Sequence, residues 1–349
     1  MKVVTVTKVG NLKDPDPDKR GRIEVLDWPL RKIEDDELLI KVAYCSICGS
    51  DPHVAEGIFG WEPPFGLGHE LSGVVVEVGK NASKYGFKVG DRVAGNFRRY
   101  CGACYYCTNG LEQFCENVTE EPGMAEYVIW HAKQAVKIPD NVSLKNGCLL
   151  EPVSIAVRVM DKANIKMGQN VVISGGGPIG LLNLQLMNIY GAANLTLIEP
   201  NPARRELGLK YGAKYVLDPT KDNVKEEAMK ITNGRGFDIL LEVSGVPSAA
   251  ETMIDIAAKC GRIIYVAQYP RKYNMPLNLY DALYAKELSI TGTFVSPYAF
   301  TRAAQIIERL DLDDFTAKVF DIDNVVEAFE AHLSGKYPKV LIKCNPDLE

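Results

Sequence analysis

Two domains of an α/β fold, a strand-rich N-terminal half and a doubly wound parallel sheet, are what this chain of 349 residues predicts. Three observations predict it. Residues 1–150 run as short strands punctuated by Gly, Pro and Asp, whereas from about residue 166 the pattern becomes strand, glycine turn, long helix and strand. At the first of those turns stands SGGGPIG.

In the first half, ELLIKVAYC, LSGVVVEVG and DRVAG are β-branched or alternating runs of strand length bounded by turn residues. In the second, QNVVISGGGPIGLLNLQLMNIYGAANLTLIEP predicts a strand from Val171 to Ser174, a helix from Pro178 to Tyr190 and a strand from Leu195 to Glu199. Pro178 suits a first helical turn and Gly191 stops the helix. KYVLD, FDILLEVSG, CGRIIYVAQ and ELSITGTF continue the alternation, and their unbroken apolarity predicts parallel strands buried on both faces. The tail from AFTRAAQ to LIKC predicts two helices, with a strand on each side of the second. The expected division is residues 1–150, 151–294 and 295–349.

Charge and composition exclude several function classes. Lys plus Arg number 40 against 45 Asp plus Glu, a net charge of −5 with no long basic block, so nucleic acid is not an expected partner. No segment nears the roughly 20 apolar residues needed to span a bilayer, so a cytoplasmic protein without a membrane partner is expected. Stable disulfides are then disfavoured, and nine cysteines leave one unpaired in any case.

SGGGPIG supplies Gly175, Gly177 and Gly180 in the G-x-G-x-x-G order between a strand and a helix, the setting that makes a Rossmann dinucleotide site. The helix opening at Pro178 and Ile179 offers its free N–H groups to a pyrophosphate. Glu199, at the end of the next strand, can accept the adenine ribose hydroxyls and oppose a 2′-phosphate. NAD is therefore expected over NADP, with Arg204 and Arg205 near enough in sequence to contest it.

Four of the nine thiols, Cys101, Cys104, Cys107 and Cys115, fall in the pattern C-x2-C-x2-C-x7-C. Two disulfides, a redox centre and a metal all compete for them, and an iron–sulfur cluster is a further option. Tetrahedral zinc suits four thiolates best, and such a site has no position left for substrate. A second constellation looks more reactive: YCSICGSDPH carries Cys45, Cys48, Ser50, Asp51 and His53, and FGLGHE adds His69 and Glu70. A three-ligand zinc site needs mixed S, N and O donors, and spacing does not choose between Cys45 and Cys48.

CGSDPH, GHELSG, VGDRVAG, the four-cysteine segment, LLEPVSIA and SGGGPIG followed by IEP resemble the zinc-dependent medium-chain dehydrogenases over essentially the whole chain. The branch in question contains sorbitol and other polyol dehydrogenases and threonine dehydrogenase. The resemblance implies a GroES-like catalytic domain with a zinc lobe, a Rossmann NAD domain, and a C-terminal segment that returns to the first. It implies a catalytic zinc on Cys48, His69 and either Glu70 or Glu151, and a structural zinc on the four cysteines. Asp51 would orient His69, Ser50 would touch the substrate oxygen, and His53 would end a proton relay. A homodimer or homotetramer is implied as well.

Four positions depart from the family pattern: Cys45, Arg158, Ala267, and Arg98 where threonine dehydrogenases usually carry a histidine. The expected partner is a small-molecule alcohol or polyol, and the expected reaction is NAD-linked oxidation of a secondary hydroxyl of a polyol or sugar-like alcohol. L-threonine and a vicinal diol such as butanediol are alternatives, and a non-enzymatic interaction protein on the same scaffold is the reading from another class.

Overall fold

The structure, a computed structural model, describes residues 1–349. It divides into two units, one of Met1–Pro152 with Phe300–Glu349 and one of Val153–Ala299.

The first unit is built around the strand Glu37–Ser46, the ELLIKVAYC run. It pairs antiparallel with Glu70–Val78, Tyr127–His131 and the C-terminal strand Leu341–Lys343. Leu38, Ile40 and Val42, spaced two apart along one face of the strand, enter together with Cys45 a core shared with Val75, Trp130, Val340 and Ile342. Arg98–Arg99 and Thr119–Glu120 form a two-stranded ribbon, and the cysteine-rich segment is the loop between them. Arg99 and Arg31 both reach the buried carboxylate of Glu37, at 3.1 and 2.6 Å. Burial would raise the Glu37 pKa, but the Arg31 hydrogen bonds overcome it and hold the group below the ordinary carboxylate range. The ribbon is thereby tied to the central strand by charge as well as by chain.

The second unit is a six-stranded, fully parallel sheet. In sequence order its strands are Asn170–Ser174, Asn194–Ile198, Tyr215–Leu217, Phe237–Glu242, Ala257–Tyr265 and Ser289–Gly292. Their spatial order is 3-2-1-4-5-6, the doubly wound order in which ligands bind where the winding reverses. The helix Pro178–Ile189 stops before Gly191, whose φ of +80° suits glycine. No helix in the structure is long and apolar enough to cross a membrane.

Candidate metal centres and dinucleotide site

Strand register explains how the reactive residues of the first unit meet. Ser46 lies directly opposite Glu70, and Leu341 pairs with Ser46 on its other side. The chain leaving Ser46 reaches Cys48 and then the short helix Ser50–Ala55. His69 immediately precedes the strand that begins at Glu70. Gly68 before it has φ +94°, and a Cβ there would sit 2.4 Å from Met124 Cγ, so GHE needs its glycine.

Potential ligand atoms of Cys48, His69 and Glu70 come within 4.8 Å of one another. Asp51 bridges two of these residues. Its Oδ2 accepts the Cys48 backbone N–H at 2.8 Å, and its Oδ1 lies 3.5 Å from His69 Nδ1, which orients the ring. Burial would lower the His69 pKa, but Cys48 and Asp51 hold it well above the usual value. Groups that favour a proton on that ring also favour a divalent cation beside it, so the donor set fits zinc. Cys45, the alternative thiol, is fully buried and its pKa is pushed up by desolvation, the opposite of what a ligand thiolate requires.

Glu70 has two further partners: Ser46 Oγ donates to it, and so does the ammonium of Lys339. Both charged side chains are nearly sealed from water, at 3% and 2% exposure. Lys339 Nζ also donates to the Ile47 carbonyl at 3.2 Å. Nothing in the sequence points to Lys339, which stands 269 residues from its partner. Only the pairing of the last strand with Glu37–Ser46 delivers it. Glu151, buried in the first turn of the helix Leu150–Ala163, lies outside the ligand cluster. Burial pushes its pKa up to about 7, with His69 pulling down and Glu70 pushing up. Ser50 and His53 occupy the helix Ser50–Ala55, and the His53 side chain is 57% exposed, with Nδ1 3.5 Å from Glu56.

The other four cysteines also converge, their sulfurs all within 4.8 Å of one another. Cys101 and Cys107 sulfurs are 4.0 Å apart, close to the ~3.8 Å edge expected for tetrahedral Zn–S bonds of about 2.3 Å. Backbone N–H groups of Ala103 and Cys104 point at Cys101 Sγ, and those of Cys101 and Asn117 at Cys115 Sγ. The bonds from Ala103 and Cys104 pull the Cys101 pKa down to about 6, while burial, opposed by a backbone hydrogen bond at Gly102 and aided by the neighbouring thiols, pushes Cys107 up to about 12. Without a cation, four sulfurs this close cannot all be thiolates, and zinc removes that conflict.

In the second unit Ser174 pairs with both Ile198 and Glu242, so the glycine turn leaves the sheet at the reversal of winding. A Cβ at Gly180 would lie 1.9 Å from the Gly175 carbonyl, which is the close helix–strand approach. A Cβ at Gly177 would meet nothing within 4 Å, which leaves backbone open to a phosphate. Pro178 and Ile179 begin the helix there. Glu199 follows its strand and is buried, accepting the Gly176 N–H at 2.6 Å and the Asn201 N–H at 2.8 Å. Arg204 lies in the first turn of the helix Pro202–Lys210, its Cβ near Gly176. Arg205 turns to Asp218 at 3.2 Å and to the carbonyls of Glu199 and Pro200. These residues fit a nicotinamide dinucleotide, with a carboxylate on the adenine ribose side.

Comparison with known proteins follows the same division. Residues 34–140 match the alcohol dehydrogenase GroES-like domain and residues 178–310 the zinc-binding dehydrogenase family. L-threonine 3-dehydrogenase of Pyrococcus abyssi is 34% identical over 91% of this chain and 94% of that protein. The enzyme of that name from Escherichia coli is 32% identical, over 92% and 96%. Among solved structures, a zinc-binding dehydrogenase from Sinorhizobium meliloti bound to NADP superposes with a TM-score of 0.90 at 29% identity, covering 98% of each chain. The 2R,3R-butanediol dehydrogenase of Bacillus subtilis gives 0.84 at 26%, over 99% of this chain and 100% of that one.

Proposed function

Because the chain belongs to the zinc-dependent medium-chain alcohol dehydrogenase family, we propose that it oxidises the 3-hydroxyl of L-threonine to a ketone. It is a zinc- and NAD-dependent oxidoreductase acting on a secondary alcohol. The choice of threonine rests on end-to-end similarity to proteins of that activity, 34% over 335 residues in the Pyrococcus abyssi case. This reverses the order expected from sequence, in which a polyol stood ahead of threonine. A vicinal diol is the second reading, supported by likeness to the butanediol enzyme.

Cys48, His69 and Glu70 would hold the catalytic zinc, with Glu151 the other carboxylate near it, and Cys101, Cys104, Cys107 and Cys115 the structural ion. Catalytic zinc supplies the Lewis acidity that lowers the pKa of a hydroxyl it holds. NAD supplies the hydride acceptor. Asp51 keeps His69 and the Cys48 backbone in register with each other. Ser50, opening its helix, accepts the hydroxyl proton as it gives up its own to a relay that ends at His53, three residues on and on the same face, which releases a proton to water.

A homodimer or homotetramer fits the unpaired edge strand Ser289–Gly292, which follows exposed Leu279, Tyr280, Leu283 and Tyr284. A cytoplasmic location fits nine free thiols.

The test is NADH formation on a panel of L-threonine, 2,3-butanediol, sorbitol and galactitol at equal concentration. L-threonine should lead in kcat/KM by about tenfold, or about 1.4 kcal/mol of transition-state preference. A neutral polyol in first place overturns the reading.

NAD should exceed NADP in kcat/KM by a similar factor. A 2′-phosphate brings about −1.5 to −2 charges against Glu199, and Arg205 is already engaged with Asp218. An NADP advantage would show that Arg204 governs the pocket.

A further inference from the structure

Glu242 ends the strand Phe237–Glu242 and is wholly buried, at 0% exposure. It lies opposite Ser174, the residue from which the glycine turn departs. Its carboxylate gathers the turn that follows: the N–H groups of Ser244 and Gly245 donate to it at 2.9 and 3.2 Å, and Ser244 Oγ donates as well. A fourth donor comes from outside the turn, the phenol of Tyr269, 27 residues on. Burial first and Glu242 second raise the Tyr269 pKa, so the phenol keeps the proton that it donates. Tyr265, Tyr269 and Tyr273 follow one another with ring centroids 6.1 Å apart at each step. The outer two fasten to the helix Pro247–Ile256, Tyr265 to the Ala250 carbonyl at 2.9 Å and Tyr273 to Glu251 at 2.8 Å.

A carboxylate that accepts successive backbone N–H groups fixes the course of the backbone between them. The turn fixed here touches the glycine motif. A Cβ at Gly175 would lie 2.9 Å from Ser244 N, and one at Gly245, where φ is +73°, would lie 2.7 Å from the Gln268 carbonyl. The Ser244–Gly245 turn is therefore wedged between the glycine motif and the chain leaving the strand Ala257–Tyr265. In the order 3-2-1-4-5-6, Glu199 serves the half-sheet on one side of the reversal, and Glu242 ends the first strand of the other half. Each half of a doubly wound sheet takes one mononucleotide. With the adenine ribose at Glu199, the Glu242 side receives the nicotinamide half.

We propose that Glu242 and Tyr269 are positioning residues for the nicotinamide half of the cofactor, locking the Ser244–Gly245 turn against Gly175. This rests on NAD as the cofactor and holds whichever alcohol is oxidised.

The experiment is calorimetric titration of the zinc-loaded full-length enzyme with NAD and with 5′-AMP, which carries the adenine half alone. The proteins are wild type, Glu242→Gln, Tyr269→Phe and the double variant, each with its melting temperature. Glu242→Gln leaves one carbonyl oxygen for four donors and should weaken NAD binding by roughly 10- to 100-fold. Tyr269→Phe, which removes a single hydroxyl, should weaken it by roughly 3- to 10-fold. 5′-AMP should stay within about twofold of wild type in both. The double variant should bind NAD no worse than Glu242→Gln, because the two side chains act as one unit. Unchanged NAD affinity in Tyr269→Phe overturns the inference, and that variant decides the matter alone if Glu242→Gln does not fold. Equal losses on NAD and 5′-AMP would show that the pair only supports the sheet, and also overturn it. A wild type that binds neither ligand overturns the dinucleotide reading together with the inference.

Discussion

In protein stripped of metal, replacing Lys339 with Met should cost the first unit about 3–5 kcal/mol of stability, the usual penalty for leaving a buried charge without its partner. Lys339 and Glu70 are 3% and 2% exposed, so water screens neither. The ammonium's other bond, to the Ile47 carbonyl, lies where the chain turns from the central strand toward Cys48. Met keeps much of the volume and removes the charge, leaving Glu70 with Ser46 and an otherwise sealed surrounding. The double variant Lys339→Met/Glu70→Gln should recover most of the loss, because no unpaired charge remains. Urea denaturation followed by circular dichroism on all three proteins, each stripped of metal, checks both statements. A loss below about 1 kcal/mol in the single variant would mean that Glu70 is compensated by something other than Lys339.

Cys48→Ser should lower kcat by about a thousandfold, the equivalent of about 4 kcal/mol of transition-state stabilisation. Zinc content should fall from two ions per chain to one, since the four-cysteine cluster is separate in sequence and in space from Cys48, His69 and Glu70. NAD affinity should stay within about twofold of wild type, because the glycine turn and Glu199 belong to the other unit. Cys107→Ser should do the reverse, losing the lobe's zinc and lowering the melting temperature, since zinc on four thiolates is folding free energy. Elemental analysis of protein purified without chelator, with isothermal titration of NAD, separates the two cases. Loss of both ions in Cys48→Ser would refute the assignment of two independent sites.

Much of the architecture was legible because it is locally encoded. FDILLEVSG became the strand Phe237–Glu242 and CGRIIYVAQ the strand Ala257–Tyr265, since continuous apolar runs between turn residues have few places to go except a buried parallel sheet. The glycine motif was equally plain, as its meaning lies within a few residues: Gly180 must let the Gly175 carbonyl approach, whatever the rest of the chain does. Four thiols within fifteen residues, 101 to 115, likewise converge with little help from elsewhere.

Residues brought together by strand register were not legible. Cys45 and Cys48 could not be ranked from spacing, and burial separates them: Cys45 lies inside the core strand with a raised pKa, while Cys48 lies just beyond its end. Arg98 was visible as a departure, but its neutralisation by Glu120 depends on how the ribbon pairs across the cysteine loop.

Sequence by itself determined the two-domain α/β class, the dinucleotide turn and the two sets of metal donors, because periodicity, glycine placement and short ligand spacings act over one or two turns of chain. Tertiary structure decided which donors share a centre, which charges are cancelled and what Glu70 can do. The ammonium that neutralises Glu70 arrives just ahead of the last strand, 269 residues away. Charges interact through space with a strength set by distance and burial, and neither quantity is written in the order of the residues.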